Sequence, residues 1–166
     1  MAASLRSRIP VNSKHDCCSQ HVHNVLRSYY NLLGHKFENL NIEEPTLGEV
    51  ILHSEWAVIS HGNDPDPFFN YGNKTALSLF EVNLNELKQI RSRNSAETTF
   101  QSDREVFMQQ VRDKGFATGY SGVRISATGK RFKIKNVTVW NVTDENGNPA
   151  GQAACFKDWD YIDLNN

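Results

Sequence analysis

Cysteine is scarce in this chain: 166 residues hold three, Cys17, Cys18 and Cys155. An odd count without paired spacing excludes a disulfide framework and points to a reducing, intracellular compartment. Long apolar runs are missing too, so no segment reaches the length of a membrane-spanning helix. Charge of one sign does not prevail, since 18 basic and 19 acidic residues leave a formal charge of -1. That balance supplies no long-range attraction to nucleic acid or a membrane surface, and neither is expected as a partner. The N-terminus lacks the apolar centre of a secretory signal. Met1 to Lys14 is basic, serine-bearing and free of acid. An ordinary lead explains it; cytoplasmic residence is expected, and organellar import stays open. Without a secretion signal, the Asn-X-Thr triplets at Asn73, Asn136 and Asn141 read as incidental.

What is present suits one packed domain: 39% of residues are hydrophobic and 10% aromatic. Val22, Val25, Leu26, Tyr29 and Leu33 recur at helical spacing before Gly34, predicting an amphipathic helix from about Ser19. Thr46-Leu47-Gly48-Glu49 predicts a capping box and a short second helix. Trp56 to His61 and Phe68 to Tyr71 read as strands around the rigid turn Asp64-Pro65-Asp66-Pro67. Asn73 and Asn83 are placed to cap two further short helices, and Ser102 with Glu105 to open a longer one that ends at Gly115. Three strand-like segments follow, Phe116 to Ala127, Lys130 to Thr143 and Pro149 to Trp159, joined by hairpin turns at Thr128-Gly129 and Glu145 to Asn148.

Two strands, a helical block and three strands predict an α+β domain: a five-stranded antiparallel sheet with helices on one face and an extra N-terminal helix. This order resembles the Per-Arnt-Sim (PAS) sensor fold. The implied division is a flexible lead over residues 1–18, a helix and connector over 19–46, the PAS-like domain over 47–160 and a tail over 161–166.

Particular residues carry a closer resemblance. Ser60-His61-Gly62 leading to Asp66-Pro67, Tyr71 and Asn73, Leu79-Phe80-Glu81, and Ser92-Arg93 with Ser95-Ala96-Glu97 appear in that order. They precede the run from Gly119 to Phe132, Val139-Trp140-Asn141 and Gly151-Gln152-Ala153-Ala154. Together these resemble the MEKHLA domain, a PAS-related family of photosynthetic organisms also found at the end of plant homeodomain–leucine zipper regulators. The resemblance implies a sensing or interaction role. No homeodomain or zipper is present in this sequence, so the gene-regulatory setting does not carry over.

Strict alternation along the central hairpin puts Phe132, Ile134, Asn136, Thr138, Trp140 and Val142 on one face. That face reads as a pocket wall, and the expected pocket residues are Tyr71, Arg124, Asn136, Thr138, Trp140 and Gln152. Asn136 and Thr138 could equally bond neighbouring backbone or water. Arg124, in mid-strand, should meet a carboxylate of the Asp64–Asp66 loop or a bound anion. His61, Asp64, Asp66, Asn73, Arg93 and Glu97 form an expected structural polar network.

The resulting expectation is a module that binds an unidentified small molecule and signals through helix or dimer packing. One alternative is a ligand-free dimerisation module using the 22–33 helix with Val137 and Val139. A second is an enzyme using His61 with Asp64 or Asp66. Ser60 and His61 face opposite ways on a strand, and Asp-Pro-Asp-Pro is turn chemistry, so no catalytic residue is assigned. No metal site is assigned either, because His15, Cys17, Cys18, His21 and His23 lack the spacing of a closed site. The cofactor stays unknown. Haem is disfavoured, since the helix that usually supplies its axial His has none. Cysteinyl–flavin chemistry is excluded at Ser95, where the resemblance to blue-light flavin domains would require a thiol, whereas non-covalent flavin or a small metabolite stays open.

Overall fold

A computed structural model describes residues 13–96 and 101–163, with side chains from 18–96 and 104–163. Six strands form one antiparallel sheet: β1 (Ala57–His61), β2 (Phe69–Gly72), β3 (Phe116–Ile125), β4 (Arg131–Thr143), β5 (Pro149–Phe156) and β6 (Asp158–Ile162). Their order is β2-β1-β5-β4-β3, with β6 pairing along the first half of β4. The sixth strand is the end of the expected fifth one: it breaks at Lys157, so β5 pairs with Thr138–Thr143 and β6 with Arg131–Lys135.

Helix α1 (Ser13–Leu33) begins earlier than the apolar spacing indicated and crosses one face of the sheet. Its stripe of Val22, Val25, Leu26 and Tyr29 is at most 8% exposed and packs on Val58, Tyr71, Trp140, Val142 and Cys155. Burial of four such side chains contributes about 6–12 kcal/mol of apolar transfer free energy, an upper bound. Polar contacts fix the helix in place. Trp140 Nε1 donates to the Val25 carbonyl at 2.9 Å, and Arg27 donates to the Asp144 carbonyl at 2.9 Å. Asn24 Nδ2 donates to Glu145 Oε2 at 2.9 Å, and the Thr143 amide donates to Ser28 Oγ at 3.0 Å. The short α2 (Leu47–Leu52) adds Leu47 and Ile51 to this layer. Thr46 makes no capping hydrogen bond; its hydroxyl turns to Glu44, so the capping box expected there does not form.

On the opposite face lie α3 (Lys74–Phe80), α4 (Leu84–Leu87) and α5 (Gln101–Lys114). They enclose a second core of Ile59, Phe69, Leu79, Phe80, Phe132, Ile134 and Phe156. Asn83 and Glu86 form the reciprocal capping box, while the expected cap at Ser102 lies outside the described side chains. Asn73 caps α3 and does more. Its Oδ1 accepts from the Val58 and Ala76 amides at 3.0 and 3.1 Å, and its Nδ2 donates to the Ile51 and Trp56 carbonyls at 2.9 and 2.7 Å. It thereby ties α2, β1 and α3 together at a point without solvent access.

The alternation expected along β4 fails at Asn136. Between the pairs Gly122↔Ile134 and Tyr120↔Val137, β3 has one residue and β4 has two, Lys135 and Asn136. This is a β-bulge, and Asn136 takes the left-handed conformation at φ 51°. Past it the faces exchange. Val137 and Val139 join Phe132 and Ile134, whereas Trp140 and Val142 turn to α1.

Candidate functional site

The inner face of the sheet and helices α3 and α5 enclose a cavity of about 90 Å³. Its apolar wall comes from Ile59, Phe69, Phe80, Phe107, Met108, Ile134, Val137, Val139 and Phe156. Polar groups enter from three directions: His61 and Gln152 from β1 and β5, Tyr120 and Arg124 from β3, and Arg104 from α5. His61, Ser92, Arg104, Met108 and Gln152 also line an adjoining groove of about 770 Å³ along residues 62–67.

Strand register explains the mouth. His61, Gln152 and Asn141 lie side by side on β1, β5 and β4, and Gln152 Nε2 donates to Asn141 Oδ1 at 3.1 Å. His61 Nδ1 donates to the Gly62 carbonyl at 2.8 Å. Burial holds the His61 pKa below its ordinary value; hydrogen bonds to Gly62 and Gln152 oppose that shift and Arg104 adds to it. Deeper in, Phe107, Tyr120 and Arg124 stack in sequence. The two rings are 4.8 Å apart, and the guanidinium carbon lies 5.6 Å from the Tyr120 centroid. Gly122 makes room for this arrangement, because a Cβ there would sit 2.5 Å from the Tyr120 hydroxyl. Arg124 Nη1 donates to the Val123 carbonyl at 3.1 Å. Burial lowers the Arg124 pKa, Tyr120 acts against that shift, and the group stays charged.

Of the six expected pocket residues, the structure brings Arg124 and Gln152 to the cavity. The other four lie elsewhere, and the bulge is the reason for three of them. Asn136 occupies the bulge itself and is exposed on the outer side near Lys157 to Asp160. Thr138 pairs with Cys155 on the α1 side, and Trp140 is fully buried beneath α1. Tyr71 also faces α1, with its ring 5.9 Å from that of His21 and its hydroxyl buried without a hydrogen-bond partner among the described residues. Burial raises the pKa of that hydroxyl, with Cys18 reinforcing the shift.

Arg124 does not lock the Asp64–Asp66 loop. Arg91 and Arg93 do so, reaching the two Asp66 carboxylate oxygens at 3.1 and 3.2 Å, and Arg91 also donates to the Asp66 carbonyl at 2.7 Å. Asp64 is exposed at the groove, and Glu97 lies outside the described residues. Asp66 is thus engaged by two arginines, and His61 directs Nδ1 to a carbonyl, so these groups do not form an acid–base pair. Nor is the expected dimer surface free. The apolar stripe of α1 and Val137 are buried within the protomer. Arg104 and Met108 escaped the sequence reading because their helix carries little apolar periodicity.

The profile of the MEKHLA domain matches residues 19–161. The chain belongs to the MEKHLA domain family. The homeobox-leucine zipper protein ATHB-14 of Arabidopsis thaliana is 23% identical over 126 residues, covering 72% of this chain and 15% of that protein. The MEKHLA chain therefore spans about one seventh of that relative. Solved structures share the fold. A PAS domain from Colwellia psychrerythraea superposes with TM-score 0.53 at 14% identity, over 69% of this chain and 92% of its own. A light-oxygen-voltage domain studied with a flavin analogue gives TM-score 0.55 at 13% identity, over 75% and 90%. The MEKHLA chain has a PAS-like α+β fold, and no helix among its described residues is long and apolar enough to cross a membrane.

The flavin named for that neighbour does not fit here. Ser95 is buried and donates to the Ser92 carbonyl at 2.8 Å in the place where an adduct would need a thiol. Cys18 and Cys155 are on the α1 side of the sheet, and burial pushes the Cys155 thiol up to about 12. A cavity of about 90 Å³ is also well short of the roughly 300 Å³ at which pockets begin to enclose drug-sized ligands.

Proposed function

We propose that this MEKHLA domain is a sensory module that holds a small molecule between the sheet and α5, and reports its presence through the seat of α1. The observation that carries this reading is an apolar cavity on the sheet with convergent polar groups, the usual form of a ligand site. Three strands connect the two faces. Ile59, Val139 and Ala154 line the cavity, while their neighbours Val58, Trp140 and Cys155 support α1. Close packing transmits a displacement on one face to the other, so an occupant that favours one strand arrangement shifts the α1 equilibrium. Ser60 lies on this route: its hydroxyl donates to Asn70 Oδ1 at 2.6 Å and meets His21 Nε2 of α1 at 2.8 Å.

Intact mass of the purified full chain, under native and denaturing conditions, tests the reading. A small mass lost on denaturation is expected. An identical mass in both, with no added small molecule altering hydrogen exchange in α1, would overturn it.

A further inference from the structure

Two cationic groups face the cavity, Arg104 and Arg124, and no carboxylate lines it among the described residues. Among the described residues the acids near the mouth are accounted for: Asp66 is held by Arg91 and Arg93, and Asp64 lines only the outer groove. A guanidinium withdrawn from water is costly unless an anion meets it. Arg124 keeps one backbone acceptor and the ring and hydroxyl of Tyr120, all of them neutral, so its guanidinium has no partner of opposite charge among the described residues. Burial and the charge of Arg104 both disfavour its protonated form, and a bound anion would reverse the second effect.

Ser60, His61, Ser92, Ser95 and Gln152 are the other polar residues at the cavity, the rest of its wall is largely aliphatic and aromatic, and the volume of about 90 Å³ has room for roughly six to nine water-sized groups. Two guanidinium groups can meet one anionic head, and Ile134, Val137 and Val139 offer no partner to a second charged group, so the rest of the ligand is apolar. From these observations we infer that the ligand is a short amphipathic monocarboxylate, its carboxylate on Arg124 and Arg104 and its alkyl body against Ile134, Val137 and Val139. The inference rests on the sensory reading above and names the ligand class of that same site. Planar guanidinium groups pair with a carboxylate through two parallel hydrogen bonds, which a neutral amide or an ammonium cannot reproduce.

Titration of the full chain with isovalerate, isovaleramide and isoamylamine, followed by amide NMR shifts of Val137, Val139 and Ala154, tests this. The carboxylate should bind at least tenfold more tightly than the amide, and the amine should not bind. Arg124→Met should abolish the preference while leaving the spectrum dispersed. Arg104→Gln, on a different element, should reduce it and serves if the first variant does not fold. Equal binding of acid and amide, or a preference that survives both substitutions, would overturn the carboxylate inference and leave the cavity reading standing. Binding of none of the three overturns the inference as well, and the intact-mass comparison then decides the sensory reading separately.

Discussion

Replacing Asn73 with alanine removes four hydrogen bonds at a site with no solvent access. The Val58 amide loses its side-chain acceptor and the Ala76 amide loses its helix cap, worth about 1 kcal/mol alone. The Ile51 carbonyl still accepts from Ser54 at 3.2 Å, so its loss is the smallest. Leaving the other buried groups unsatisfied costs about 1–3 kcal/mol each, less what an entering water restores. The sum is roughly 3–5 kcal/mol, or about 6–20 °C in Tm for a domain of this size. Urea and thermal denaturation of Asn73→Ala against the parent measure it directly. Asn73→Asp should be no better, because it keeps the acceptor but buries a charge and loses both donors. A loss under 1 kcal/mol for either variant would refute the assignment of Asn73 as the junction of α2, β1 and α3.

Gly151→Ala should be among the most damaging small changes. Its φ is 133°, and an added Cβ would lie 2.0 Å from the His61 carbonyl oxygen, so a loss of about 3 kcal/mol or more is expected in the same assay. Acid should weaken the fold through His21 and His61, whose pKa values burial holds below the ordinary 6.5. The unfolded chain binds these protons first, so their contribution is complete above pH 6.5 and declines as pH falls below it. Denaturation midpoints between pH 8 and 5 should show the decline, His21→Gln with His61→Gln should flatten it, and a midpoint that rises on acidification would contradict it. Arg124→Met should leave stability unchanged or raise it, since it removes a half-buried charge without a described carboxylate; a loss above about 2 kcal/mol would mean a structural ion pair.

Much of the architecture was legible because local signals agreed with it. The apolar spacing of Val22 to Leu33 defined the face of α1 that meets the sheet, and the turns at Gly129 and Gly147 set the hairpins. The site was harder to read. A single inserted residue in β4 exchanges the two faces, so Trp140 and Thr138 moved from the expected pocket wall to the helix seat while Val137 and Val139 made the opposite move. Asn136 carried a faint signal, since asparagine tolerates φ above zero better than most residues. The sequence leaves Arg124 two partners, a carboxylate of the Asp64–Asp66 loop or an anion, and only the fold shows that Arg91 and Arg93 take Asp66.

The central claim is that the cavity on the sheet is where a small molecule resides. Ala154 lies between Ile59 and Val139 on the cavity face, and leucine at this position would fill the space while adding about 1–3 kcal/mol of packing strain. Native intact mass of the parent and Ala154→Leu chains, purified side by side, measures occupancy in each. The account predicts a small bound mass in the parent that is absent from the variant. The same mass in both chains, or in neither, would contradict it.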